Sequence, residues 1–269
     1  MRIYHYTNIE TLALILKNKT IRFNRLDRVD DLEEGQTESS GIKTGLYTFV
    51  SCWTEDPEES IPLWKMYTNN GVGVRIGLDK EMFKKYEFHN GDIINEDVIH
   101  TDGIVKKPVS PTSIISSDYW VFPNFNDGVF YKKIEYVPDV SVAIKNAVKK
   151  DANGVNQMQT SQWGIFKNKR WAFQDERRFT LIIFPKPNDI SISNPVYGDW
   201  LKIAFEKGIY LPFHYFDLEL SDNVLNDIEI TLCPNMSEGH KTLVECLCKT
   251  YLDNIIPKES SLSGVVYLK

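Results

Sequence analysis

The sequence predicts an α+β protein: a mixed, mostly antiparallel central sheet flanked by helices, in a single domain over residues 1–269. Three observations lead to this class. Apolar runs rich in β-branched and aromatic residues at 46–53, 72–78 and 179–184 have the composition of buried strands. Segments with helical apolar spacing, at 9–18 and 238–252, are not in strict alternation with those strands, as a parallel α/β fold would require. No Pro-, Gly- or Ser-rich linker, low-complexity segment or internal repeat divides the chain.

Taken in order, residues 2–6 read as a short strand. Thr7-Asn8-Ile9-Glu10 has the form of a capping box, with Thr7 offering its hydroxyl to the N3 amide and Glu10 reaching back. The helix it opens runs to about residue 18 and buries Ile9, Leu12, Leu14, Ile15 and Leu16. A second strand covers 21–23. The charged loop at 24–35, NRLDRVDDLEEG, reads either as a solvated surface or as acids that orient Arg22 or Arg25. After the strand at 46–53, acids and Pro57 mark the start of a helix carrying Ile61, Leu63, Trp64 and Tyr67. A glycine-bearing strand at 72–78 and a short helix at 80–86 follow.

Residues 87–128 hold scattered Pro, Gly, Ser and Asn around one strand at 93–100 and read as an insertion or lid without chemistry of its own. A strand at 129–136 and helices at 140–150 and 157–168 lead into the strand that Pro185 closes. Residues 186–269 read as a C-terminal extension packed on the core. They hold a helix near 200–206, strands at 209–212, 215–220 and 228–232, and the last amphipathic helix.

Composition narrows the function. With 42% hydrophobic and 25% charged residues the chain is ordinary for a globular protein, and no apolar run reaches bilayer length. The N-terminus enters a strand pattern without a signal-peptide core, so the expectation is a cytoplasmic protein with no membrane partner. A net charge of −6 argues against a general nucleic-acid coat, although Lys and Arg outnumber Asp and Glu between Lys132 and Arg178. Cys52, Cys233, Cys246 and Cys248 lack metal-ligand spacing; they are expected to be buried free thiols, and no metal site is assigned. Trp53, Trp64, Trp163 and Trp171 lie in apolar periodic segments and are assigned to the core.

Chemistry concentrates at Gln174-Asp175-Glu176-Arg177-Arg178, a polar cluster at the mouth of an apolar strand. Burying it would be costly without partners, so it is placed at the exposed end of that strand. A surface turn with a Glu–Arg pair is one reading and a site the other. Strand alternation puts Gln174 and Glu176 on one face. Set beside His5 in the first strand and Ser51 at the end of Phe49-Val50-Ser51, they offer a carboxylate, an imidazole and a hydroxyl from three strand ends.

An aromatic residue followed by His in strand one, an aromatic-hydrophobic-Ser strand and a Gln-x-Glu opening a later strand resemble the ADP-ribosyltransferase pattern. The ordered set YHYT, FNRLDRVDDLEEG, VSCW, LWKMYTNNGVGVRIG and KNKRWAFQDERRF resembles a large bacterial family of unassigned function. Together these resemblances imply an ADP-ribosyltransferase-like split sheet and an enzyme that consumes NAD as substrate. Its acceptor is water or an unknown protein or nucleic acid. The alternative is a non-catalytic protein- or nucleic-acid-binding module, and the company of the bacterial family implies a role in phage defence.

By that resemblance Glu176 is the catalytic carboxylate. His5, with Tyr6 beside it, holds the adenosine ribose; Ser51 or Tyr67 supports the nicotinamide half. Arg22 or Arg178 meets the pyrophosphate, and Gln174 is the same-face neighbour of Glu176. The chain departs from the patterns at Asp30-Asp31-Leu32, where Asn-Asp-Pro is usual, at Gln174, where the bacterial family has Glu, and at Ser51-Cys52-Trp53, where the transferases have Ser-Thr-Ser.

Overall fold

The computed structural model describes residues 1–69, 71–126, 128–150 and 156–268. Its centre is a nine-stranded sheet, numbered here in chain order: β1 (Arg2–Thr7), β2 (Thr20–Arg25), β3 (Thr48–Thr54), β4 (Val74–Asp79), β5 (Tyr119–Val121), β6 (Tyr131–Lys133), β7 (Glu176–Pro185), β8 (Tyr215–Glu219) and β9 (Glu229–Leu232). Every pairing within this sheet is antiparallel. β7 runs along β3 from Glu176 opposite Thr54 to Ile182 opposite Thr48, and its other edge takes β6 and then β5.

On the far edge of β3 the sheet forks. One arm, β1–β4–β9, touches β3 at Tyr4 opposite Thr54; the other, β2–β8, joins it at Asn24 opposite Val50 and Arg25 opposite Phe49. Both arms share one edge of a seven-residue strand, so β3 has no ladder partner on that side at Ser51, Cys52 and Trp53. Helix α1 (Ile9–Asn18) bridges the arms.

The unbroken apolar run of β7 is explained by burial on both faces. Phe179, Leu181 and Ile183 enter the main core, where Phe83 meets Phe179 edge-on with ring centres 4.9 Å apart. Ile182 and Phe184 enter a second cluster around Trp163, Tyr47 and Phe205. Helix α2 (Ile61–Tyr67) starts at Ser60, α3 (Pro195–Glu206) at Asn194 and α4 (Glu238–Tyr251) at Ser237, each cap accepting a first-turn amide.

Several local expectations are corrected. Asn8, not Thr7, caps α1, accepting from the Thr11 amide at 2.8 Å, and Leu14 faces outward, half exposed. Residues 80–86 form no helix, because Met82 and Phe83 are drawn into the core one after the other, which a surface helix cannot do. The helix expected at 157–168 is replaced by a 3₁₀ turn (Thr160–Gln162) and a strand (Phe166–Asn168) that pairs in parallel with Glu135–Val137. The same pairing breaks the strand expected at 129–136. Only Val140–Ala143 of the helix expected at 140–150 is α-helical, and its last residues form a strand instead; residues 151–155 lie outside the described residues. Residues 209–212 are irregular rather than a strand.

The segment read as an insertion or lid is built into the domain. Phe88, Val109, Ile114, Ile115 and Val121 are fully buried in the main core, and Asp97 accepts hydrogen bonds from Ser191 and from the Ile192 amide. The C-terminal part supplies β8 and β9 to the central sheet. Its last stretch lies along β9 at Lys258, while Ser260 and Ser261 donate to Glu59, just ahead of α2. The described residues contain no helix long and apolar enough to cross a membrane.

Candidate functional site

The fork opens a cleft of about 490 Å³. Its sides come from the ends of β1 (His5, Tyr6, Thr7) and from Thr20, Arg22 and Asn24 of β2. Behind a wall of His5, Tyr6, Cys52 and Tyr67 lies a second cavity of about 60 Å³ that reaches Gln174 and Glu176. Five of the residues expected at a site, His5, Tyr6, Tyr67, Gln174 and Glu176, therefore surround one small space. Arg22, Ser51 and Arg178 line the larger cleft instead.

Ser51 does not join Glu176. It lies opposite Phe179 in the ladder, and neighbouring residues of β7 point to opposite faces, so Ser51 and Glu176 are on different sides of the sheet. Its hydroxyl oxygen accepts the indole N–H of Trp53 at 3.0 Å. Of the two, only Tyr67 borders the small cavity with Glu176.

His5 closes the gap in the ladder. Its Nδ1 is 2.7 Å from the Cys52 carbonyl, on the open stretch of β3. A carbonyl only accepts, so Nδ1 carries the proton and Nε2 is left as an acceptor. Burial lowers the imidazole pKa, with the Cys52 carbonyl pulling partly the other way. A histidine whose folded pKa is lowered resists protonation only in the folded state. Its contribution is therefore intact above the ordinary value of 6.5 and is lost as pH falls below it through the folded value. The urea midpoint of the protein should drop over that range, and the His5→Gln variant should lose that part of the drop; an identical pH profile for both proteins would exclude His5 as the titrating group.

The polar cluster that opens β7 is not a surface turn. Gln174, Glu176 and Arg178 are buried, with Arg178 0% exposed. Arg178 donates from Nε to Glu176 at 2.8 Å and from Nη1 to Glu34 at 2.8 Å and the Gly164 carbonyl at 2.9 Å. Lys167 donates to Gln174 Oε1 at 2.8 Å and Glu176 Oε2 at 3.2 Å, and lies 3.6 Å from Glu34. Two acids and two bases form a neutral quartet, which is how the burial cost expected from the sequence is offset.

Local structure sets each member. Asp175 has φ 37°, a left-handed conformation that Asp tolerates, and it turns the chain from the 3₁₀ helix Lys169–Gln174 into β7 so that Gln174 and Glu176 both face Lys167. Glu34 comes from a one-turn helix (Leu32–Gly35) capped by Asp31. A Cβ on Gly35 would stand 2.7 Å from the Leu26 carbonyl oxygen, so only glycine lets that turn press against the chain and drive Glu34 inward. Lys132, opposite Arg178 in the sheet, donates to the carbonyls of Ser161 and Trp163 and so holds that segment beside the quartet. Burial and the Arg178 charge push its amine down to about 7.

The two carboxyls are driven apart. Burial alone would raise Glu176, but Arg178 and Lys167 outweigh it and hold the group below the ordinary carboxylate range. At Glu34 burial prevails and raises the carboxyl. Cys52 donates its thiol to Glu176, and burial with that carboxylate keeps the thiol protonated. Gln174 donates to the Tyr67 hydroxyl at 2.8 Å, which in turn donates to Asp30 at 2.9 Å; burial, then Asp30, raise the phenol pKa.

The acids of the 24–35 loop go to separate partners: Asp27 to Arg25, Asp30 to Tyr67, Glu33 to Arg170 and Glu34 to the quartet. Arg25, rather than Arg22, is the arginine they orient. Of the cysteines, Cys233 and Cys248 are buried as expected and Cys246 is exposed. Trp171 leaves the core to lie under the Lys167 ammonium, 4.8 Å from its ring centre.

Residues 63–179 match a family described as a protein of unknown function (DUF2971). The matched segment carries Tyr67, Lys167, Gln174, Glu176 and Arg178; His5, Arg22 and Glu34 lie before it. No curated protein and no solved structure matches the chain.

Lys167, Glu34 and Cys52 surround Glu176 and Arg178 but were not assigned to the site from the sequence. Lys167 stands inside the KNKRWAFQDERRF stretch, but nothing local marks it as inward-facing. For Glu34 the only signal was a capped turn ending in glycine.

Proposed function

We propose that the cleft binds NAD and that the chain cleaves the nicotinamide–ribose bond, passing ADP-ribose to water or to a protein or nucleic-acid acceptor. The observation that carries this reading is the gathering of His5, Tyr67, Gln174 and Glu176 around one small cavity where the sheet divides. We read the fork as the counterpart of the split sheet that the transferase resemblance implies, and a cleft of about 490 Å³ is within the usual range for a bound ligand, roughly 300–1,000 Å³.

The chemistry follows from protonation states. Nicotinamide leaves with the bonding electron pair, C1′ of the ribose becomes cationic, and a water or acceptor oxygen captures it and gives its proton to solvent. Glu176, kept ionised by Arg178 and Lys167, stabilises the developing positive charge as the carboxylate of a glycosidase does. Of its donors the Cys52 thiol is the weakest, so a ribose hydroxyl displaces that one. His5 Nε2 accepts from the other ribose. Arg178, neutralised by two carboxylates, keeps Glu176 charged and does not meet the pyrophosphate.

A second reading has its own observation. Arg178, Lys167 and Cys52 already saturate Glu176, as suits a binding module in which the quartet merely fixes the end of β7. Incubation with NAD separates the two. Release of nicotinamide together with a raised melting temperature supports the enzyme; a raised melting temperature alone supports the module. Neither effect would exclude NAD as the ligand.

A further inference from the structure

Arg22 and its partners form an arrangement that the nicotinamide chemistry does not use. The alternation of β2 sends Ile21 and Phe23 into the core and leaves Thr20, Arg22 and Asn24 on the open face. β8 places Asp217 directly opposite Arg22 and Tyr215 opposite Asn24. The Arg22 guanidinium donates from Nε to Asp217 Oδ1 at 3.0 Å and from Nη2 to Oδ2 at 3.1 Å, and lies flat on Tyr215 with its central carbon 3.6 Å from the ring centre. The group is therefore held on one side by a ring, along one edge by a carboxylate, and with its charge compensated.

A phosphate site needs the opposite: free donors and unbalanced positive charge. A neutralised, immobilised plane at the side of a cleft instead favours stacking of another plane on its open face. Asn24, on the same strand face, carries a carboxamide that can both donate and accept, the pairing that suits the N6/N7 edge of adenine. We propose that Arg22, locked by Asp217 and Tyr215, is a stacking platform for a purine base, adenine, with Asn24 reading its edge. This rests on the cleft assigned above to NAD and gives it an adenine end; it also removes Arg22 from the pyrophosphate role.

AMP tests the platform without involving nicotinamide. In calorimetric titrations AMP should bind wild-type protein more tightly than ribose 5-phosphate does, and Arg22→Ala should weaken AMP by about tenfold or more. Arg22→Lys is the decisive variant. It keeps the charge and loses the plane, so it should bind AMP no better than Arg22→Ala, and Asn24→Ala should erode the preference for AMP over GMP. The platform is overturned if wild type does not bind AMP, if ribose 5-phosphate binds equally well, or if Arg22→Lys retains wild-type affinity. AMP binding lost in Arg22→Lys, with no nicotinamide released from NAD, would uphold the platform while the cleavage reading falls. Both positions are exposed, and circular dichroism checks that the variants are folded.

Discussion

Arg178→Met should lower the unfolding free energy by about 3–5 kcal/mol in urea denaturation at neutral pH. The guanidinium is fully buried between Glu34 and Glu176, and its loss leaves two buried carboxylates facing Lys167 alone. The cost is that of stranded charges more than of lost attraction, so a second substitution should recover part of it. In Arg178→Met/Glu34→Gln one stranded carboxylate is gone, and the double variant should be destabilised by less than the sum of the two singles. Strict additivity would mean that the four groups do not act as a unit.

Glu176→Gln should reduce nicotinamide release by about a hundredfold or more, the usual scale for removing one group that stabilises transition-state charge. The variant also breaks the quartet, so a fall in rate by itself is ambiguous. Glu34→Gln supplies the control, since Glu34 has the same two cationic partners but faces the larger cleft and not the small cavity beside His5 and Tyr67. Equal losses in the two variants, after correction for the folded fraction, would show that the quartet is needed only to hold the strand end. A loss confined to Glu176→Gln assigns the chemistry to that carboxylate.

Strands with strong apolar runs were legible in the sequence because burial on one or both faces leaves a local signature: β3, β4 and β7 are where composition places them. The region from 157 to 168 was misread for the complementary reason. Its backbone pairs with residues 135–137, and nothing in its own side chains encodes a partner that distant. The site was half legible. His5, Gln174 and Glu176 could be singled out as polar groups at strand ends and Tyr67 only through the transferase resemblance, but local pattern made the 174–178 cluster look solvated. The partners that make its burial tolerable, Glu34 and Lys167, lie in other segments, and a buried ion pair leaves no periodicity to find. Ser51 failed on parity: which face a strand residue takes relative to its neighbour depends on register, which only pairing defines.

The fork also has a kinetic consequence. Its arms are closed by contacts far apart along the chain; the Arg22–Asp217 pair alone spans 195 residues. Such contacts form late and slowly, because the entropy of closing a long loop must be overcome before any of them stabilises the fold. A nascent chain emerging from the ribosome has β1, α1, β2 and β3 long before β7 exists to pair with β3, and β8 arrives later still. No N-terminal fragment ending before Arg178 holds the quartet, and none ending before Asp217 holds the completed cleft. Whatever the cleft does, its Arg22–Asp217 side stays incomplete during synthesis until Asp217 has been made.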